Sequence, residues 1–256
     1  MGSTLLLLAL TVAGVSAIRG VWSPCGLSML SSITPMTEAG RGNRFSVTAV
    51  WFVLGGIVGG LSLGALAAGA AAGLAALELT ATTRVGVAAA VAMVCASIDL
   101  GIFGIDLPIF KRQVNDAWLR RYRSWVYGSG FGWQIGFGVA TYIMTAGVLL
   151  TVALAVLTAS PVQAIAIGLV FGLVRGSAVY LGRSATSPAA LGQIHQRLDA
   201  AAPTARAAAA GVQVLAAAIL AGVAWHPLGA LAVVAGAAGV ATAAPASTRL
   251  HLRSGS

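Results

Sequence analysis

The sequence predicts an all-α integral membrane protein, a polytopic bundle of about seven transmembrane helices. Of the 256 residues, 58% are hydrophobic and only 8% are charged, whereas a soluble domain carries about 25% charged residues. Apolar stretches of about 20 residues, the length that crosses a bilayer, recur along the chain. We therefore expect residues 1–256 to form a single transmembrane domain whose main partner is the lipid bilayer.

The predicted spans follow from the apolar stretches in chain order. The stretch from Ala207 to Ala244 is too long for one helix at 1.5 Å per residue, and His226 and Pro227 divide it. Residues 182–206 are more polar and predict a loop with a short surface helix around residues 189–200. The predicted spans are residues 4–30, 47–77, 85–107, 129–157, 161–181, 207–225 and 228–244.

The positions of the basic residues predict the orientation. With seven spans, twelve of the 15 lysine and arginine residues lie in connections on one side, and Arg84 alone lies on the other. Cytoplasmic loops are enriched in these residues, so we expect the N-terminus outside and the C-terminus in the cytoplasm. Arginine in place of lysine, with abundant alanine and glycine, is typical of GC-rich bacteria and favours a bacterial cytoplasmic membrane.

The first apolar stretch has an alternative interpretation as a cleaved signal peptide. It contains an apolar core at Leu5–Leu10 and small residues at Val15–Ala17 that resemble a cleavage site. No basic residue precedes the core, and the charge distribution accommodates the segment as a span. We therefore expect it to be retained.

Several soluble functions are disfavoured. The net charge of +9 comes from basic residues between spans rather than from a nucleic-acid-binding cluster, so no nucleic acid is expected. The three histidines, His195, His226 and His251, lie in separate connections and predict no metal site. Lys111 is the sole lysine and belongs to no phosphate-binding loop, and no cofactor is expected.

Glycine is dense in two of the predicted spans. In the second span, glycines at spacings of three and four residues predict close helix packing; they are Gly55, Gly56, Gly59, Gly60 and Gly64. In the fourth span, the run of glycines from Gly128 to Gly138 predicts an irregular or partly unwound start, because glycine weakens helices.

The segment from Ser23 to Ser28 contains Pro24 and Cys25, and Pro35 follows shortly after. Proline removes a backbone donor and clashes with the preceding turn, so the first span should be kinked or broken there. Transporters place binding sites at such breaks. The segment is either a functional site with Cys25 as a reactive thiol or a structural kink with an inert cysteine.

Residues Gly20–Thr37 resemble the first transmembrane helix of the CcdA and DsbD family, which carries a proline-cysteine pair at this place. The resemblance implies two inverted three-helix repeats in the first six spans. It also implies transfer of reducing equivalents by thiol-disulfide exchange through Cys25, as in cytochrome c biogenesis. The implied partners are cytoplasmic thioredoxin-like proteins and extracytoplasmic thiol proteins.

The chain departs from that family at the second cysteine. The family carries one in its fourth helix, where this chain has Gly136–Tyr142 without a cysteine. The second thiol of this chain is Cys95, in the third predicted span. Straight helices would separate Cys25 and Cys95 by roughly 15 Å in depth, so only a strong break at Pro24 could bring them together.

Polar residues inside the predicted spans form a second candidate site. Ionisable groups within a bilayer are costly and commonly mark a binding site or pathway, although long arginines can also reach the interface. By depth, we expect Asp99 to pair with arginine. This site supports the alternative functions of a small-solute or ion transporter or of a membrane subunit in a larger complex. Its residues are Arg19, Asp99, Gln134, Thr141 and Arg175.

Overall fold

The computed structural model describes residues 2–102 and 118–225, and the regular structure in these two ranges is entirely helical. Five helical segments there are long and apolar enough to cross a membrane: Gly2–Trp22, Phe45–Ala75, Ala81–Asp99, Pro161–Ser184 and Pro188–Trp225. The prediction of an all-α membrane-type protein is therefore confirmed. The predicted span at 228–244 and the end of the predicted third span lie outside the described residues.

The first predicted span is broken. Helix α1 (Gly2–Arg19) ends in one 3₁₀ turn, Gly20–Trp22, and is followed by α2 (Pro24–Ser32) and α3 (Pro35–Gly40). Each proline is the first residue of a new helix, where its missing N–H costs nothing. Ser23 caps α2 by accepting a hydrogen bond from the N–H of Gly26 at 3.1 Å.

Helix α4 (Phe45–Ala75) spans 31 residues and packs between α7 (Ser124–Phe137) and α9 (Pro161–Ser177). The three backbones touch along glycines. A Cβ added at Gly60 would overlap the carbonyl oxygen of Gly168, and one added at Gly136 would overlap that of Gly56. We call this contact the glycine seam, and it consists of Gly56, Gly60, Gly132, Gly136, Gly168 and Gly172.

The fourth predicted span is two helices rather than one. Helix α7 ends at Phe137, residues 138–146 are not helical, and α8 covers Gly147–Leu157. Gly138 adopts a φ of +72°, which glycine tolerates and which stops the helix. The prediction of an irregular start at Gly128–Gly138 is wrong in position, because the glycines of α7 are held as helix by packing against α4.

Three further helices complete the described structure. Helix α5 (Ala81–Asp99) packs against α10 (Pro188–Trp225), and the short helix α6 (Trp118–Arg121) precedes α7. The predicted loop at 182–206 is wrong from residue 188 onwards, since residues 188–225 form one continuous helix that includes the short helix predicted around residues 189–200. Pro203 lies inside that helix. Alanine-rich neighbours with high helix propensity keep the chain helical on both sides of the proline.

The core is built mainly from alanine, leucine and valine of α1, α4, α5, α8, α9 and α10. A second apolar cluster lies around Phe52, Tyr127 and Leu30. Large apolar side chains such as Leu7, Leu66 and Val162 are exposed on the outside of the bundle. An apolar outer surface of this kind is compatible with the hydrocarbon core of a bilayer.

Candidate polar site at Asp99

Asp99 is the last residue of α5, and its carboxylate is held by donors from two other parts of the chain. Its Oδ1 accepts from the backbone N–H of Ala146 at 2.8 Å. Its Oδ2 accepts from Nε2 of Gln213 at 2.6 Å and from the hydroxyl of Thr145. Three neutral donors therefore satisfy this carboxylate.

The position of Asp99 is explained by helix ends. Ala146 is the N-cap of α8 and has no side chain that could cap the helix itself. A carboxylate at a helix N-terminus satisfies free backbone N–H groups and interacts favourably with the helix dipole. Asp99 thus caps α8 from another helix.

Helix α10 also binds Asp99, through its backbone carbonyl. The guanidinium of Arg206 donates from Nε and Nη2 to the backbone carbonyl of Asp99, both at 3.2 Å. That carbonyl is at the C-terminal end of α5, where helix carbonyls lack partners within the helix. We call the set Asp99, Thr145, Ala146, Arg206 and Gln213 the Asp99 cluster.

An open cleft of about 560 Å³ lies beside the Asp99 cluster. Pro203, in the wall of this cleft, has no N–H to donate to the carbonyl four residues earlier, so α10 lacks one of its regular hydrogen bonds there. The residues lining the cleft include Arg19, Asp99, Leu100, Asp199, Pro203 and Arg206.

Arg19 is the least satisfied charge in this region. The residue is 9% exposed, and its Nη1 is buried without a hydrogen-bond partner. Its guanidinium carbon lies 5.8 Å from the ring centroid of Trp22, a cation–π distance. As the last residue of α1, it also interacts favourably with the C-terminal end of the helix dipole.

Arg175, which the sequence analysis grouped with Asp99, belongs to a separate site. Its Nη1 donates to the carbonyl of Ala17 at 3.2 Å, and its Nη2 donates to Oγ of Ser23 at 3.3 Å. It passes so close to Gly20 that a Cβ there would overlap the guanidinium. Arg175 therefore bridges the break between α1 and α2, and the expected ion pair with Asp99 is not formed.

The other predicted site residues also lie apart from the Asp99 cluster. Thr141 is buried in the 138–146 break and donates to the carbonyl of Gly138 at 3.4 Å. Gln134 is half-buried on α7. The sequence analysis missed Gln213, although this is the one polar side chain between Ala207 and Trp225 and so carried a signal.

The predicted thiols are both buried. Cys25 is 2% exposed in the first turn of α2, which begins at Pro24, and Cys95 is 6% exposed in α5. No disulfide joins them in the part of the chain that the structure describes. Pro35 is the first residue of α3.

A second polar cluster, which the sequence analysis did not find, surrounds Glu38 of α3. This fully buried carboxylate accepts from the hydroxyls of Thr48 and Tyr127, each at 2.6 Å. It also forms an ion pair with Arg41 at 2.8 Å, the one ion pair within residues 2–102 and 118–225. Every partner is supplied by the chain, so the cluster joins α3, α4 and α7.

Metal-binding potential is absent from the residues described. No group of three histidine, cysteine, aspartate or glutamate side chains there could hold an ion. His195 instead lies 3.3 Å from Oγ of Ser31 through its Nε2.

Sequence comparison relates the chain to one kind of protein. It is 32% identical over 174 residues to the methylamine utilization protein MauF of Paracoccus versutus, which covers 64% of this chain and 62% of the relative. It is 31% identical over 183 residues to MauF of Paracoccus denitrificans, covering 64% and 61%. It is 29% identical over 158 residues to MauF of Methylorubrum extorquens, covering 60% and 54%.

The matches cover only part of each relative. The chain spans about 60% of the length of the first two relatives, the MauF proteins of the two Paracoccus species. No protein-family model matches the chain, and no solved structure matches it significantly.

The comparisons overturn the resemblance to the CcdA and DsbD family. The relatives carry the name MauF, which belongs to a different family. The function implied by that resemblance, thiol-disulfide exchange through Cys25 in cytochrome c biogenesis, is therefore wrong. The resemblance had a single specific motif, Pro24-Cys25, and a proline that starts a helix next to a buried cysteine is a common local structure.

Proposed function

We propose that this protein is a membrane-embedded component of methylamine utilization. The observation that carries the proposal is the similarity to MauF proteins over more than half of this chain. The five long apolar helices support a place in the membrane.

The Asp99 cluster is the part of the molecule we assign to that role. It brings together the C-terminal end of α5, the N-terminal end of α8 and helix α10, and it lies beside an open cleft. Polar groups that converge at helix breaks are typical of binding sites and pathways in membrane proteins. The Glu38 cluster, by contrast, is closed and fully satisfied by the chain itself.

The proposal includes a topology. We propose seven spans in a bacterial cytoplasmic membrane, with the N-terminus outside and the C-terminus in the cytoplasm. The excess of basic residues on one side supports this orientation. In this topology, α1 and α5 both end at the cytoplasmic side, so the cleft beside Asp99 opens towards the cytoplasm. The interrupted segments at 20–23 and 138–146 support an inverted three-helix arrangement.

The test is deletion of the gene in its own organism. We expect growth with methylamine as the sole carbon and nitrogen source to be lost, while growth on succinate and ammonium is unchanged. Equal growth of the deletion and parent strains on methylamine, or a parent that does not use methylamine, would contradict the proposal.

Complementation then tests the assigned site. The deletion strain receives the wild-type gene, Asp99→Asn or Glu78→Gln, with membrane levels of each protein measured by immunoblot. Glu78 is an exposed carboxylate outside the cleft and provides the same chemical change as a control. We expect Asp99→Asn to restore growth on methylamine poorly and Glu78→Gln to restore it fully.

A further inference from the structure

The cleft beside Asp99 contains a buried guanidinium with a donor that the chain leaves without a hydrogen-bond partner. Arg19 is nine-tenths buried and lines the cleft, and its Nη1 has no hydrogen-bond partner. A buried N–H donor without a hydrogen-bond partner is unfavourable, because it has lost its hydration and no acceptor replaces the water.

The acidic groups of the cleft do not supply the missing partner. The Asp99 carboxylate is already used by Thr145, Ala146 and Gln213. Asp199 is exposed on α10, where water solvates its charge. Neither carboxylate forms an ion pair with Arg19 within the described residues, since the ion pair there is Arg41 with Glu38.

A second guanidinium lines the same cleft. Arg206 is exposed, and it is oriented by the two hydrogen bonds from Nε and Nη2 to the backbone carbonyl of Asp99. A guanidinium carries five N–H donors, so donors remain for a ligand. Two arginines in one cleft, one of them fixed and the other unsatisfied, form a recognisable receptor for an oxyanion.

We propose that the cleft between Arg19 and Arg206 binds a phosphate-type oxyanion. The group could belong to a soluble phosphate compound or to the headgroup of an anionic phospholipid, because Leu100 lines the cleft and exposes apolar surface there. This inference goes beyond the proposed role in methylamine utilization and does not depend on it.

The test uses the purified full-length protein in a non-ionic detergent. Binding is measured as the shift in the thermal unfolding midpoint and by titration calorimetry. One arm adds inorganic phosphate against equal sodium chloride. The other adds phosphatidylglycerol in mixed micelles against phosphatidylcholine, whose phosphate is neutralised by choline.

The variants are Arg206→Gln and Arg19→Gln, with Arg197→Gln as the matched control. Arg197 is an exposed arginine on the same helix that does not line the cleft. We expect Arg206→Gln to weaken binding by about tenfold or more, as for loss of a charge-assisted hydrogen bond, and Arg197→Gln to bind like wild type. Arg206 is exposed, so its variant stays informative even if Arg19→Gln does not fold.

The two probes distinguish a soluble phosphate compound from a phospholipid headgroup as the source of the oxyanion. A response to inorganic phosphate supports a soluble ligand, and a response to phosphatidylglycerol alone supports a lipid headgroup. No response to either probe, or a response that Arg206→Gln leaves unchanged, overturns the inference. Each result is read from binding to the purified protein, so it is independent of growth on methylamine.

Discussion

At the scale of single residues, helix geometry offsets the cost of partly burying Asp99. The backbone N–H of Ala146 at the start of α8 has no partner within its own helix, and the carboxylate of Asp99 needs donors. Each group therefore satisfies the other. Thr145 and Gln213 add two more donors, so the hydrogen-bonding needs of the carboxylate are met without an ion pair.

The sequence could identify Asp99 and Arg19 because an ionisable residue in an apolar stretch stands out by itself. It could not identify Thr145, since threonine is unremarkable in a membrane helix until a carboxylate is placed beside it. It also grouped Arg175 with Asp99 on depth alone. Depth along a helix does not fix which neighbour a side chain faces, and Arg175 faces Ala17 and Ser23 instead.

The first prediction concerns Asp99→Asn. The amide retains one acceptor for Ala146 but places an NH₂ group where Asp99 accepts from Gln213 and Thr145. We expect the free energy of unfolding to fall by about 1–3 kcal/mol, the cost of an unsatisfied buried polar group. Equilibrium unfolding in detergent micelles measures this loss.

The control for that measurement is Glu78→Gln, which makes the same chemical change at an exposed residue. It should alter the free energy of unfolding by less than about 0.5 kcal/mol. Equal stability of Asp99→Asn and Glu78→Gln would contradict the capping role of Asp99.

At the scale of helices, the glycine seam decides how α4, α7 and α9 pack. Small residues let helix backbones approach closely, so van der Waals contact replaces the hydrophobic effect that is missing in lipid. Close packing was predictable from the spacing of Gly55 to Gly64. The partners were not, because glycine spacing on one helix does not identify the helix that it contacts.

Helix breaks were harder to place from the sequence. Pro24 and Pro35 were predicted to kink or break the first span, and the structure shows a break, with each proline beginning a new helix. Pro203 was assigned to a loop and instead lies within α10. The difference is set by the flanking residues, because Ser23 and Thr34 can cap a new helix whereas alanines around Pro203 cannot.

The second prediction, at this scale, concerns Gly60→Ala. The added Cβ would overlap the carbonyl oxygen of Gly168, and backbone atoms cannot move aside as a flexible side chain can. We expect a loss of about 1–3 kcal/mol in the free energy of unfolding, as for other overpacked sites.

Gly69→Ala, in the same helix α4, is the matched control, since a Cβ at Gly69 would meet no atom within 4 Å. Its stability should be unchanged or slightly higher, because alanine is the better helix former. A Gly60→Ala protein as stable as Gly69→Ala would show that the seam is not tightly packed.

At the scale of the whole molecule, hydropathy and charge predicted a helical membrane protein. They did not determine how many helices it contains. The apolar stretch of 29 residues at 129–157 is long enough to cross a bilayer as one helix, yet the chain breaks at Gly138 into α7 and α8. Composition thus predicted the membrane and the helical class. It could not predict how many helices would be continuous, since tertiary packing decides where a helix stops.

The third prediction is the topology. A green fluorescent protein fusion at Ser256 and another at Asp116 should both fluoresce, because the basic residues of these regions favour the cytoplasm. A fusion at Leu79, between α4 and α5, should be dark, as this reporter does not mature after export. Fluorescence at only one of Ser256 and Asp116 would contradict the seven-span orientation.

The buried position of Arg175 constrains the order in which the chain can be assembled. Its acceptors, Ala17 and Ser23, precede it by 158 and 152 residues. Arg175 lies in the last turn of α9, and burial of its guanidinium is unfavourable unless acceptors are in place. The contact between Arg175 and the broken end of α1 can therefore close only after α9 has been synthesised, more than a hundred residues after α1.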